Sequence, residues 1–167
     1  KISEWSAAIE EAIRNDLNKP KGELTTTDLE RVKFLNLYDP EITDTDLKEM
    51  HKLKQLSEIY LACPKITDAG LKEVSKLKQL SWLDLRRTQI TDAGLKELAK
   101  LKQLSELYLM KTKITDEGLK EVAKMKQLNV LDLGYTQTTN EGLKELAKLQ
   151  QLTELILWGT KITDEGL

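Results

Sequence analysis

Apolar and polar positions alternate along this chain in two different periods, and the two periods take turns. In Leu83-Asp84-Leu85 every second residue is apolar, the pattern of a strand with one buried face. A few residues on, Leu95, Leu98 and Leu101 recur in steps of three with Lys96, Glu97 and Lys100 between them, which predicts an amphipathic helix. Between the two lies the phrase ITDAGL, which begins at Ile66 and again at Ile90, a period of 24 residues. ITDEGL begins at Ile114 and Ile162, and the variants ITDTDL and TTNEGL begin at Ile42 and Thr138. Thr91 and Asp92 offer a hydroxyl and a carboxylate to the free N–H groups at the helix start. Each unit therefore reads strand, turn, helix. One such unit cannot bury its apolar side alone, so stacking must build a continuous core from the Leu and Ile columns.

The unit LxxLxLxxTxITDxGL resembles the leucine-rich repeat, with Thr88, Thr112, Thr136 and Thr160 where many members carry Asn. The resemblance covers residues 32–167 as about six units without an insertion, the last of them incomplete. It implies an α/β leucine-rich repeat solenoid, a curved horseshoe with parallel strands on the concave face and helices on the convex face. Pro40 and Pro64 stand in the Thr column, so a side-chain hydrogen-bond ladder there is expected to begin only at Thr88. Residues 1–31 read as a separate helical cap. Trp5, Ala8, Ile9, Ala12, Ile13 and Leu17 share one helical face, followed by the breaker NKPKG and a capping-box match from Thr27 to Glu30. Ala7 to Ile13, Pro20 to Gly22 and Leu24 to Leu29 resemble the N-terminal cap of bacterial, internalin-like leucine-rich repeat proteins. The resemblance implies a bacterial protein, secreted or on the cell surface, that contacts other proteins.

Composition narrows the field. A net charge of -2 gives no electrostatic reason to expect nucleic acid or an anionic membrane as partner. The single cysteine, Cys63, excludes an internal disulfide framework. No apolar run approaches a membrane span. The chain begins KISEWS, without Met or a signal-like segment, which reads as a processed or engineered start. It stops at Leu167, the equivalent of Leu95, where a helix has barely begun. The expectation is either a fragment or an edge covered by a disordered continuation or a neighbouring chain, with self-association through that edge as one outcome.

Strand alternation turns four columns outward: Phe34, Glu58, Trp82, Glu106, Val130, Glu154; Asn36, Tyr60, Asp84, Tyr108, Asp132, Ile156; Tyr38, Ala62, Arg86, Met110, Gly134, Trp158; and, just past the strand, Asp39, Cys63, Arg87, Lys111, Tyr135, Gly159. Every aromatic of the chain except Trp5 falls in these columns. Trp, Tyr and Arg dominate binding energy when buried at interfaces. Tyr38, Tyr60, Trp82, Tyr108 and Trp158 are therefore expected as anchors for a partner, with Asp84, Arg86, Arg87 and Glu106 setting specificity and Phe34 and Tyr135 also among the partner-binding residues. The competing reading is structural, with rings on neighbouring strands packing on one another. Because acids separate the aromatics along each column, few direct ring-to-ring neighbours are expected.

Catalytic readings are weak. His51, the sole histidine, aligns with Ser75 and Ala99 on the outer helices, far along the unit from Cys63. Glu58, Asp84, Glu106, Asp132 and Glu154 line the inner face, yet an open sheet offers no water-excluding pocket to raise one carboxyl pKa. The helix lysines, such as Lys96 and Lys120, are offset by Glu97 and Glu121. Gly70, Gly94, Gly118 and Gly142 occur singly and read as packing positions, with Asp46 in their place in the first unit. The expectation is a non-enzymatic module that binds a protein or peptide on the strand face, with no catalytic residues, no cofactor and no metal. Alternatives are carbohydrate binding on the same face and a pure scaffold that makes contact through its C-terminal edge.

Overall fold

The computed structural model describes residues 4–167; the first three residues of the expected cap lie outside that range. Two helices open the chain, α1 (Ala7–Leu17) and α2 (Thr26–Leu29). Six three-residue strands follow: β1 (Phe34–Asn36), β2 (Glu58–Tyr60), β3 (Trp82–Asp84), β4 (Glu106–Tyr108), β5 (Val130–Asp132) and β6 (Glu154–Ile156). They pair in sequence order, all parallel, and equivalent residues face each other, so that Trp82 meets Glu58 on one side and Glu106 on the other. Helices α3 (Asp68–Val74), α4 (Asp92–Leu98), α5 (Asp116–Val122) and α6 (Asn140–Leu146) return the chain, while units one and six use 3-10 turns, Asp44–Lys52 and Asp164–Gly166. This is the α/β solenoid that the periodicity predicts.

One apolar core runs the length of the stack, from Ile9 and Ile13 of α1 through Leu35, Ile59, Leu83, Leu107 and Leu131 to Leu149. The amphipathic face of α1 closes the first unit, burying Ile9, Ala12 and Ile13 against it. Asn18 ends α1 in a left-handed conformation, and Arg14 bonds Glu10 along the helix and the Gly22 carbonyl across the turn. The capping box sits two residues earlier than the sequence suggests: Thr25 and Asp28 bond each other reciprocally, and Lys19 adds an ion pair to Asp28 at 2.6 Å. The hydrogen bonds from Lys19 and Thr25 hold the Asp28 carboxyl well below the usual carboxylate range.

Two side-chain ladders tie successive units, and neither uses the threonine column expected to do so. Thr88, Thr112, Thr136 and Thr160 each donate to the Leu carbonyl three residues back, at 2.6–2.7 Å, closing a turn inside their own unit. The cross-unit links lie in the TD phrase. The carboxylate of Asp68 accepts from both the N–H and the hydroxyl of Thr91, and Asp44, Asp92 and Asp116 hold Thr67, Thr115 and Thr139 in the same way. The aspartate, read from sequence as a cap for its own helix, thus fastens the next one, while the N-cap hydroxyl comes from the threonine. A second ladder runs along the strand entrances, where the Ser81 and Ser105 hydroxyls donate to the carbonyls of Ser57 and Ser81.

This arrangement explains the glycine of each unit. A Cβ at Gly94 would collide with Asp68 Oδ1, and Gly118 and Gly142 face Asp92 and Asp116 in the same way. The first unit lacks a preceding aspartate, and there Asp46 replaces glycine and accepts from the Thr43 N–H and hydroxyl itself. Thr138, in the column of buried isoleucines, is fully buried with its hydroxyl paired to that of Thr136 at 3.0 Å.

Candidate functional site

Alternation places the outward columns on one side of the sheet, but packing sorts their aromatics into two groups. Tyr60 and Tyr108 come from one column and Trp82, on the strand between them, from another, so their rings meet diagonally across the acids that separate them in sequence. Centroids lie 6.5 Å apart for Tyr60–Trp82 and 5.2 Å for Trp82–Tyr108, and Tyr38 extends the row at 5.9 Å from Tyr60. The expectation of few ring-to-ring neighbours fails for this reason: column spacing ignores diagonals, which long and aromatic side chains reach. Trp82 is accordingly half-buried between two tyrosines rather than bare.

Asp84 is the sharpest correction. Outward by alternation, it is nonetheless fully buried, covered by the side chains around it. One oxygen accepts the Arg86 backbone N–H at 2.9 Å, and the other accepts Arg86 Nε at 2.8 Å and Nη2 at 2.5 Å. The Arg86 guanidinium carbon then sits 5.7 Å from the Tyr60 centroid and 5.8 Å from that of Tyr108, so the cation is sandwiched between two rings above a buried carboxylate. Hydrogen bonding to Asp84 raises the Arg86 pKa above its ordinary value. Asp132, one unit pair further, is also buried and accepts the Gly134 N–H at 2.8 Å. Glu106 accepts the Tyr108 hydroxyl at 2.8 Å; burial first and Glu106 second push the Tyr108 pKa up to about 12.

The second group stands open. Tyr38 is 71% exposed, Trp158 76%, Tyr135 54% and Phe34 39%, and Arg87 is exposed beside them. Tyr135 lies against Gly159, where a Cβ would strike the ring, and the Lys111 ammonium hovers 5.3 Å from its centroid.

The fourth column splits for a backbone reason. Arg87, Lys111 and Tyr135 adopt φ of 63°, 58° and 55°, which turns their side chains out of the sheet edge, and Gly159 shares the conformation at 65°. Asp39 and Cys63 precede Pro40 and Pro64, and the residue before proline is held to extended conformations. Cys63 consequently points inward: it is fully buried, its thiol lies 3.0 Å from the Leu37 carbonyl, and burial pushes its pKa up to about 11. A thiol so placed stays protonated at neutral pH. His51 lies on the helix side, its Nδ1 2.8 Å from the Lys48 carbonyl. Among the described residues no group of His, Cys, Asp and Glu could hold a metal ion, and no helix is long and apolar enough to cross a membrane. A groove of about 950 Å³ lies away from the strand face, between the cap helices and Lys52 and Lys54.

Residues 80–99 and 101–123 match the sequence model of the family described as Leucine Rich repeat. A comparison with curated proteins returned no match. Among solved structures, internalin C2 of Listeria monocytogenes aligns with a TM-score of 0.67 at 23% identity, over 95% of this chain and 76% of that one. Internalin F (InlF) of the same organism aligns with a TM-score of 0.62 at 24% identity, over 95% of this chain and 57% of that one. The plant peptide hormone receptor RGFR1, solved in complex with RGF2, aligns with a TM-score of 0.51 at 20% identity, over 68% of this chain and 18% of the receptor. The chain is a leucine-rich repeat solenoid, internalin-like in fold.

Proposed function

We propose that this chain is a non-enzymatic recognition module that holds a protein or peptide against its strand face. The observation that carries the reading is the placement of exposed rings. Of the exposed large apolar side chains among the described residues, Phe34, Tyr38, Tyr135 and Trp158 lie on the strand side and only Leu167 lies elsewhere. Parallel sheets are ordinarily covered on both faces, and exposed aromatic patches mark interaction sites. Tyr38, Tyr135, Trp158 and Phe34 serve as anchors, while Tyr60, Trp82, Tyr108 and the Arg86–Asp84 pair form a rigid platform between them. Arg87, Glu106 and the platform charges select the partner by complementarity. The likeness to two internalins and to a peptide hormone receptor supports the same reading, and with the cap resemblance it supports a bacterial protein placed on the surface or secreted.

The test screens wild type and a Tyr38→Ala/Tyr135→Ala/Trp158→Ala variant on a protein-and-peptide array and on a glycan array. Protein or peptide binding by wild type that is lost in the variant supports the proposal. Hits confined to glycans replace it with carbohydrate recognition, and equal binding by both proteins leaves only the scaffold role through the C-terminal edge.

A further inference from the structure

The two margins of the strand face differ in charge. Where the strands begin, Glu58, Glu106 and Glu154 alternate with apolar residues. Where they end, the column just past the strand carries Arg87 and Lys111, both exposed, in units three and four, and the half-buried Asp39 in unit one. Lysines on the helix side are neutralised locally, as in Lys76–Glu73 and Lys124–Glu121. Arg87 and Lys111 have no carboxylate partner among the described residues; the single contact of their charged groups is Lys111 with the Tyr135 ring.

Their backbone positions are fixed. The backbone ladder continues past the strands through Arg87 N–H to Met110 carbonyl at 2.9 Å, Lys111 N–H to Gly134 carbonyl at 2.9 Å, and Tyr135 N–H to Trp158 carbonyl at 2.6 Å. Neighbouring units therefore keep the spacing of a sheet there, about 4.8 Å. Tyr38 in the first unit and Trp158 in the sixth flank the cations at a span of about 24 Å. Between Tyr38 and Arg86 stands the small Ala62, and between Met110 and Trp158 stands Gly134. The margin thus reads ring, shallow step, two free cations, ring, ring. An extended chain rising about 3.4 Å per residue covers that span with about seven residues.

Building on the recognition role proposed above, we infer that the partner presents an extended acidic segment of about seven residues along this margin. Its carboxylates meet Arg87 and Lys111, and apolar or aromatic side chains at its two ends rest on Tyr38 and on Tyr135 with Trp158. An acidic segment is favoured over a neutral one because the free cations sit midway between the rings. The glutamate margin repels the same segment, which fixes the side on which it lies.

The experiment measures binding of three labelled seven-residue peptide pools, aromatic at both ends, with centres of Asp and Glu, of Asn and Gln, or of Lys. Wild type is expected to bind the acidic pool on the order of tenfold more tightly than the neutral pool, and less tightly as salt rises. In an Arg87→Glu/Lys111→Glu variant, the acidic pool is lost and the Lys pool gained. An Arg87→Gln/Lys111→Gln variant, neutral rather than reversed, loses the preference alone and serves where the reversed protein fails to fold. A wild type that binds the neutral or Lys pool as well as the acidic one, binds no pool, or keeps its preference after charge reversal overturns the inference. Failure of the underlying recognition reading looks different: the Tyr38→Ala/Tyr135→Ala/Trp158→Ala protein then retains every array partner of wild type.

Discussion

Asp68 accepts two hydrogen bonds from Thr91 in the following unit, one from its backbone N–H at 2.8 Å and one from its hydroxyl at 2.6 Å. The same carboxylate fills the space that a side chain at residue 94 would need, so three residue types in two units specify one joint. Asp92→Ala is expected to destabilise the protein by about 2 kcal/mol, since it leaves two part-buried Thr115 donors without their charged acceptor. Urea unfolding followed by circular dichroism reads the change. Gly118→Ala also destabilises, but the double variant with Asp92→Ala loses less than the two single losses combined, because the closest clash disappears with the carboxylate and only the one with Leu95 Cδ1 at 2.8 Å stays.

Arg86→Ala is expected to cost about 2 kcal/mol, because it strands a buried Asp84 carboxylate whose remaining partner is a backbone N–H. Adding Asp84→Asn to Arg86→Ala should restore part of the loss. Equal stability of Arg86→Ala and wild type in a thermal melt would show the pair to be a surface ornament.

Acid should weaken the cap. The folded-state pKa of Asp28 lies below its unfolded value, so its contribution is whole above about pH 4 and declines as pH falls further. The stability difference between wild type and Asp28→Asn is therefore expected to be constant at neutral pH and to shrink below about pH 4. A difference that does not change with pH would assign the loss to geometry rather than to charge.

Tyr108 should ionise above the ordinary tyrosine range. Its folded pKa of about 12 exceeds the free value of about 10, so the stability its neutral form provides is complete below pH 10 and is lost as pH rises through 12. Ultraviolet titration should show one late phenolate that is absent from Tyr108→Phe.

Much of this architecture is legible in the sequence because it depends on periods. Leu83 and Leu85 must face the core if the chain is to bury anything, and the constant repeat length forces the strands into register. What alternation cannot give is the fate of a side chain after it leaves the sheet. Asp84 and Tyr60 share an outward column, yet one is buried beneath Arg86 and the other is stacked on Trp82, since both outcomes depend on diagonal neighbours. Cys63 and Arg87 occupy one column as well, and the signal that separates them, the proline after Cys63, is present in the sequence. The Asp68 link to Thr91 carries no local signature, because an aspartate at a helix start is equally suited to its own helix.

The central claim is that the strand-face aromatics divide into a group that holds the sheet and a group left for a partner. Urea denaturation of two triple variants tests it most directly. Tyr60→Ala/Trp82→Ala/Tyr108→Ala is expected to lose about 3 kcal/mol or more, from ring contacts and burial together. Tyr38→Ala/Tyr135→Ala/Trp158→Ala should stay within about 0.5 kcal/mol of wild type. A loss in the second variant as large as in the first would make the exposed rings structural and contradict the account.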